Sequence, residues 1–195
     1  MLNKKTLESI FEKLLSQAKK SHDEFNAVDG KIGDGDLGVT ILNGLEEINN
    51  NKINFKDDMS ANFMLCSQAF VKKSGSSFGT LIAFSFMNIS KNLKGKSECN
   101  HNDIVDIFET ALKTIIERGK TNLGDKTIAD SLNLIIKSLK DNQNYTDVFK
   151  SATKQALEDF KGKKIKIGRA RMFEDKTKDL DDPGMFALNK LTTAF

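Results

Sequence analysis

The sequence predicts an all-α fold of about eight short-looped helices. Three observations predict it. Apolar residues recur three and four apart in one stretch after another, the period of a single helix face. Short clusters of Gly, Ser, Asn and Asp separate those stretches. The only proline, Pro183, stands just inside the last stretch, and the one alternating run, Lys163 to Ile167, has no partner strand and reads as loop or helix end.

The elements follow in order. Leu7, Ile10, Phe11, Leu14, Leu15 and Ala18 form the stripe of a first helix. A second runs from about Gly38, with Ile41, Leu45 and Ile48 on one face, and Asn49 to Asn51 end it. Phe63, Cys66 and Phe70 mark a third. Leu81, Ile82, Phe84, Phe86, Met87 and Ile89 are apolar almost all round, so the fourth helix should be buried. A loop near Lys94 to Asn102 leads to a fifth helix with Ile104, Ile107, Phe108, Ala111, Leu112 and Ile115. Thr127 and Asp130 have the spacing of a capping box at the start of a sixth, with Leu132, Ile135, Ile136 and Leu139. Val148, Ala152, Ala156 and Phe160 mark a seventh. A polar loop from about Gly162 to Asp182 precedes the last, which starts with Asp182 as N-cap and Pro183 at the first helical position. No repeat or linker interrupts the chain, and residues 1–195 read as one domain.

Composition narrows the class. The chain is 38% hydrophobic and 29% charged, which suits a soluble globular protein. Thirty basic residues nearly balance 27 acidic ones, and no long block of one sign occurs, so neither a nucleic-acid nor a membrane footprint is expected. The most basic region, Lys161, Lys163, Lys164, Lys166, Arg169 and Arg171, reads either as a solvated helix end or as a phosphate-attracting rim. Two cysteines, Cys66 and Cys99, are too few for a disulfide framework. The Lys-rich amphipathic start is not a signal peptide, and no apolar run is long enough for a bilayer. A cytoplasmic location is expected. His22 and His101 lie beside polar residues near helix ends and read as surface histidines.

One stretch carries most of the chemical information. Val28-Asp29-Gly30-Lys31-Ile32-Gly33-Asp34-Gly35-Asp36-Leu37-Gly38-Val39-Thr40 packs three aspartates and four glycines between two helical patterns. Carboxylates this crowded repel one another unless a positive charge sits among them, and a hard divalent cation such as Mg²⁺ suits an all-oxygen donor set. The bland alternative is a solvated acidic turn. An EF-hand fits poorly, because a loop starting at Asp34 would place Val39 at the glycine position and Leu45 at the closing Glu.

Weaker signals lie at other helix ends. Ser74-Gly75-Ser76-Ser77 opens the fourth helix as an anion site or as an ordinary serine cap. Arg118-Gly119-Lys120 and Gly124-Asp125-Lys126-Thr127 lead into the sixth. Gly119-Lys120-Thr121 is not a P-loop, since Thr114 stands where the first glycine belongs and a helix precedes it instead of a strand. Arg169 is a surface charge or, by its fork geometry, a phosphate ligand. Together these loops suggest one nucleotide site at one end of a helical bundle.

In this order the motifs resemble the dihydroxyacetone kinase L subunit, the nucleotide-binding domain family of that kinase, over essentially the whole chain. The resemblance implies an antiparallel eight-helix barrel with a nucleotide, ADP or ATP, and two Mg²⁺ at one rim. It assigns Asp29, Asp34 and Asp36 to the metals. It places Leu37, Gly38, Val39, Thr40, Ser76, Ser77, Gly119, Thr127, Ile128, Arg169, Asp182, Pro183 and Gly184 at the nucleotide, with Arg169 also as the catalytic residue. The chain departs from the family at Leu37, where His is frequent, at Ser74-Gly75 in place of Gly-Gly, at Phe78 in place of a small residue, and around Glu174-Asp175-Lys176-Thr177 in place of a Gly-Glu-Arg-Ser lid.

The resemblance further implies phosphoryl transfer to dihydroxyacetone held covalently on a histidine of a separate K subunit. ADP would stay bound as a coenzyme and be rephosphorylated by the M subunit, a phosphotransferase-system protein. A homodimer stays open. The alternatives are a kinase subunit that exchanges ATP and serves a related small ketose, a non-catalytic nucleotide-sensing module, and a purely structural bundle.

Overall fold

The computed structural model describes residues 1–195. It contains eight α-helices: α1 (Lys4–Asp29), α2 (Leu37–Asn51), α3 (Met59–Lys73), α4 (Ser77–Asn92), α5 (His101–Gly119), α6 (Ile128–Asp141), α7 (Tyr145–Asp159) and α8 (Pro183–Thr192). Each helix packs on the next in sequence, and α8 returns to α1, so the helices close a ring. The all-α barrel expected from the sequence is therefore the observed fold.

This topology decides where the loops go. In an antiparallel ring every odd-numbered connection falls at the same end. The α1–α2, α3–α4, α5–α6 and α7–α8 loops thus share one rim, and they are the four loops whose sequence carried chemical signals.

The helix faces form as their spacing dictates. Leu7, Phe11, Ala18 and Phe25 of α1 pack with Leu37, Ile41, Leu45 and Ile48 of α2 and with Phe63, Cys66 and Phe70 of α3 in one apolar core. Phe86 of α4 sits at the centre of an aromatic group, with ring centroids 5.9–6.2 Å from Phe70, Phe63 and Phe11. A second core joins Ile115, Leu132, Ile135, Leu139, Val148 and Ala152 of α5, α6 and α7. Each large apolar side chain so buried contributes about 1.5–3 kcal/mol. Helix α4 is less enclosed than its composition suggests. Its Ala83, Ser85 and Ile89 are buried, while Phe84 is half-buried beneath the Arg118 guanidinium, 4.2 Å from the ring centroid.

Caps end the helices as expected. Thr127 and Asp130 form the reciprocal capping box of α6, and the Asp182 carboxylate accepts the Met185 N–H at 2.9 Å at the start of α8. Three readings need correction. The Lys94–Asn102 loop contains a short strand, β2 (Glu98–Cys99), paired antiparallel with β1 (Leu2–Asn3), which ties the chain start to the rim opposite the four loops. The polar loop after α7 contains a 3₁₀ segment, Arg169–Thr177. His101 is half-buried rather than a surface residue: its Nε2 lies 2.9 Å from the Leu139 carbonyl and its Nδ1 2.9 Å from the Tyr145 hydroxyl. A carbonyl only accepts, so Nε2 carries the proton and, in the neutral ring, the Tyr145 hydroxyl donates to Nδ1. Lys163 to Ile167 is loop, as read. No helix is long and apolar enough to cross a membrane.

Candidate functional site

The aspartate loop is shaped by its own backbone. Helix α1 runs through Asp29, so this carboxylate projects from a helix end into the turn that follows. Its Oδ2 accepts the Gly35 N–H at 2.9 Å and the Asp36 N–H at 3.0 Å. The turn closes because Gly35 adopts a φ of +75°, which side chains other than glycine disfavour. Carboxylate oxygens of Asp29, Asp34 and Asp36 then all lie within 4.8 Å of one another.

Asp36 stands at the N-cap position of α2 but makes no side-chain cap bond. Asn26 of α1 does that work. Its Oδ1 accepts the N–H groups of Gly38 at 2.7 Å and Val39 at 3.3 Å. Capping from the neighbouring helix leaves the Asp36 carboxylate free to face the other two. No sequence motif pointed to Asn26; the signal was a polar residue on the otherwise buried side of α1, one turn before Asp29.

Gly38 acquires a packing role. A Cβ there would press into the His22 carbonyl and the Asn26 side chain, so the first turn of α2 touches α1 only because Gly38 has none. The Leu37 side chain lies in the core and Thr40 is buried, so the side chain of Leu37 is not at the rim and only its backbone is available to a ligand. Val39 is exposed.

Two loops reach this turn directly, and the α5–α6 loop meets them through Leu81 and Gly184. The Thr40 hydroxyl donates to the Ser76 Oγ at 2.8 Å, linking α2 to the α3–α4 loop. Ser76 is itself the N-cap of α4, accepting the Gly79 N–H at 3.1 Å, and Ser77 is exposed beside it. Gly184, at the start of α8, fits against Phe78 and Ile128: an added Cβ would lie 3.2 Å from the Phe78 ring and 3.4 Å from the Ile128 Cβ. Pro183 and the N-cap Asp182 precede it. Gly119 ends α5 near Leu81, and Lys120 takes the left-handed C-cap conformation with φ 52°, so Gly119-Lys120-Thr121 is a helix end, not a phosphate loop.

Arg169 reaches the aspartates from the α7–α8 loop, its guanidinium 2.5 Å from the Asp34 carboxylate. Ile32 of the aspartate turn packs with Ile165 and Ala170, and this small apolar cluster seats one loop on the other. No local pattern reports this cluster, because Ile32 lies 133 positions from Ile165 and shares no periodicity with it. The basic cluster is largely committed to partners. Lys164 and Lys178 pair with Asp175 at 2.8 and 2.9 Å, Lys161 with Glu158 at 2.7 Å, and Lys166 with Asp125 at 3.6 Å. The two lysines hold the Asp175 carboxyl down at about 2.

Electrostatics at the turn point to a cation. Burial first, then the neighbouring charges of Asp34 and Asp29, raise the Asp36 carboxyl above its usual range, against the lowering effect of Arg169. One guanidinium faces three carboxylates. The donor set is all oxygen, converging and under-neutralised, which fits a hard divalent ion.

Asp182 is the second acid at the rim whose carboxyl is raised. Burial, only partly offset by the N–H groups of Met185 and Gly184, pushes its carboxyl up to about 7. A folded chain that holds this proton more tightly than the unfolded one gains a contribution to stability that is complete below the ordinary value of 3.8 and is lost as pH rises through about 7. Asp182→Asn keeps an oxygen for the cap. The ligand-free variant is expected to melt above the wild type at about pH 8, with the gap closing by about pH 4. Melting curves across that range check it; a gap that is the same at both ends refutes the assignment.

The chain and its fold have counterparts among known proteins. The family model described as the DAK2 domain matches residues 31–195. The chain is 29% identical over 164 residues, 82% of its own length and 79% of the relative's, to "PEP-dependent dihydroxyacetone kinase 1, ADP-binding subunit DhaL" of Listeria innocua. It is 25% identical over 158 residues, 80% of its length and 78% of the relative's, to "PTS-dependent dihydroxyacetone kinase, ADP-binding subunit DhaL" of Lactococcus lactis. In three dimensions it resembles the crystal structure of the C. freundii dihydroxyacetone kinase in complex with AMP-PNP and Mg²⁺, with a TM-score of 0.76 at 23% identity. That match covers 96% of this chain and 32% of the solved one, so the chain spans about a third of that enzyme. Asp29 falls just outside the matched family residues, yet the turn brings it to Asp34 and Asp36. With its aspartate turn, its four converging loops and a family match over most of its length, the chain belongs to the DAK2 domain family.

Proposed function

We propose that this chain is the nucleotide-binding subunit of a dihydroxyacetone kinase and that residues 1–195 work as one domain. The observation that carries the reading is the convergence of Asp29, Asp34, Asp36 and Arg169 at the rim where four inter-helix loops meet. The relatives' names, which specify an ADP-binding subunit, support the same reading.

In this reading Asp29, Asp34 and Asp36 hold two Mg²⁺, which neutralise the nucleotide phosphates. The chain's own groups do the positioning. The Gly35 and Asp36 N–H groups orient the Asp29 carboxylate, and Asn26 keeps Asp36 turned to the site. The serine loop at Ser76 and Ser77, opening α4, presents hydroxyls and helix N-terminal N–H groups to phosphate oxygens. Leu37, through its backbone, and Gly38, Val39 and Thr40 border the phosphates, while Gly119, Thr127, Ile128, Pro183 and Gly184 line the side taken by the base, with Asp182 fixing the turn. Arg169 places its guanidinium fork where negative charge grows on the transferring group, the electrostatic role that phosphoryl transfer requires.

The acceptor is dihydroxyacetone carried by a separate K subunit. Met172, 79% exposed, and Phe173 project from the 3₁₀ segment beside Arg169 and offer an apolar contact for that subunit. The donor to bound ADP is the phosphotransferase-system M subunit, as the naming of the Lactococcus relative favours. Self-association as a homodimer is compatible with this arrangement.

The nucleotide content of the purified protein tests the reading. Denaturation followed by chromatography of the supernatant should release stoichiometric ADP that survives dialysis with Mg²⁺. Empty protein that takes up and releases ATP would instead mark an ATP-exchanging subunit. Protein that binds neither nucleotide with Mg²⁺ would refute the kinase reading.

A further inference from the structure

Lys126 is the one lysine of the chain that is fully buried, only 2% exposed. A buried ammonium is costly unless every donor is met. No carboxylate meets this one; its partners are three backbone carbonyls. Nζ donates to the Lys163 oxygen at 2.9 Å, to the Thr177 oxygen at 3.1 Å and to the Lys178 oxygen at 3.4 Å. An ammonium has three donors, so the set is complete.

The positions of these carbonyls give the lysine its purpose. Lys163 opens the segment that carries Arg169, and Thr177 and Lys178 close it. The ammonium spans the two feet of the loop. Other bonds run between the same feet: Gly162 N–H to the Lys178 oxygen at 3.2 Å, and Ile165 N–H to the Thr177 hydroxyl at 3.0 Å. Thr177 is itself fully buried. Lys126 also holds a φ of 61°, a left-handed conformation that a side chain disfavours. It sits between Asp125, which accepts the Lys166 N–H at 3.1 Å, and Thr127, the N-cap of α6. The clip is therefore anchored on the start of a helix, and the loop it clips is mostly exposed and charged, with only Ile165, Ala170 and Thr177 buried. Burial holds the Lys126 ammonium below its ordinary range, only partly offset by the charges of Asp181, Asp182 and Asp179.

We propose that Lys126 is a positioning residue: by joining the Lys163 carbonyl to those of Thr177 and Lys178, it closes the base of the 163–178 segment and sets Arg169 over the aspartate turn. The part played by Arg169 rests on the proposed function; the closing of the loop does not.

The test uses the full-length chain with Lys126→Met, which keeps the apolar stem, and Lys126→Gln, a neutral variant that retains amide donors and decides the matter if the first fails to fold. Hydrogen exchange followed by mass spectrometry should show the 162–178 peptide exchanging about tenfold faster than in the wild type, while peptides of α1 to α5 are unchanged. Lys126→Arg, which restores a cation with several donors, should recover most of the protection. A folded neutral variant with wild-type exchange across 162–178 overturns the clip. Titration with Mg²⁺ and ADP then tests the positioning. Lys126→Met should weaken binding about tenfold in the wild-type background and less than about twofold in Arg169→Ala, because both changes remove the same contribution. Additive effects overturn the link to Arg169. If the wild type itself binds no Mg²⁺–ADP, the proposed function fails, and the exchange result still decides the clip.

Discussion

Asp29→Asn is expected to lower the affinity for Mg²⁺–ADP about a hundredfold or more and, at the same time, to raise the melting temperature of the ligand-free protein. The two effects share one cause. The Asp29 Oδ2 accepts two N–H groups of its turn, and an Asn oxygen accepts them equally well, so the loop keeps its shape. What disappears is one of three negative charges that lie within 4.8 Å of each other with a single guanidinium among them. Without a cation the remaining pair repels less; with one, a ligand and a full charge are missing. Asp29→Ala removes the acceptor as well and should lose both affinity and stability. Calorimetric titration with and without Mg²⁺, alongside melting curves in chelator, reads both quantities. Wild-type affinity in Asp29→Asn would remove the metal from this turn. Lost affinity with a lowered melting temperature would make the carboxylate structural.

Arg169→Ala should separate activity from stability in the opposite way. The Arg169 and Asp34 side chains are 65% and 50% exposed, and an ion pair that open to water is worth about 0–1 kcal/mol. The melting temperature should therefore move by no more than about 4 °C. Turnover with the K subunit should fall about a hundredfold or more, because a guanidinium acting on developing phosphoryl charge is worth far more than a surface pair. Arg169→Lys should recover only part of the rate, since an ammonium cannot grip two oxygens as the planar fork does. Turnover that is unchanged in Arg169→Ala would place transition-state charge stabilisation elsewhere on the rim. Loss of Mg²⁺–ADP affinity as large as the loss of rate would make Arg169 a binding group without a special part in transfer.

Much of this architecture is readable in the chain because it depends on local chemistry. Asp182-Pro183 starts a helix wherever it stands, and the Thr127–Asp130 pair caps one by spacing alone. The stripe from Leu7 to Ala18 specifies a helix and the face it buries. His101 is the counterexample. Its neighbours in sequence are polar, but its partners, Leu139 and Tyr145, come from the far end of α6 and the start of α7, which no local pattern reports. The β1–β2 pairing was missed for the same reason, since two-residue strands have no period to detect.

By itself, then, the sequence determined the helices, the order of the loops and the crowding of Asp29, Asp34 and Asp36, because these follow from residues within a few positions of one another. It could not determine that Asn26 would cap α2 and leave Asp36 free, that Ile32 would seat on Ile165 and Ala170, that Arg169 would arrive at Asp34, or that Lys126 would find three carbonyls some 37 to 52 residues away. Those pairings depend on which helices are neighbours in the ring and which end each loop occupies. A barrel closed from α1 to α8 brings distant residues within hydrogen-bond range, and only the closed structure specifies which ones meet.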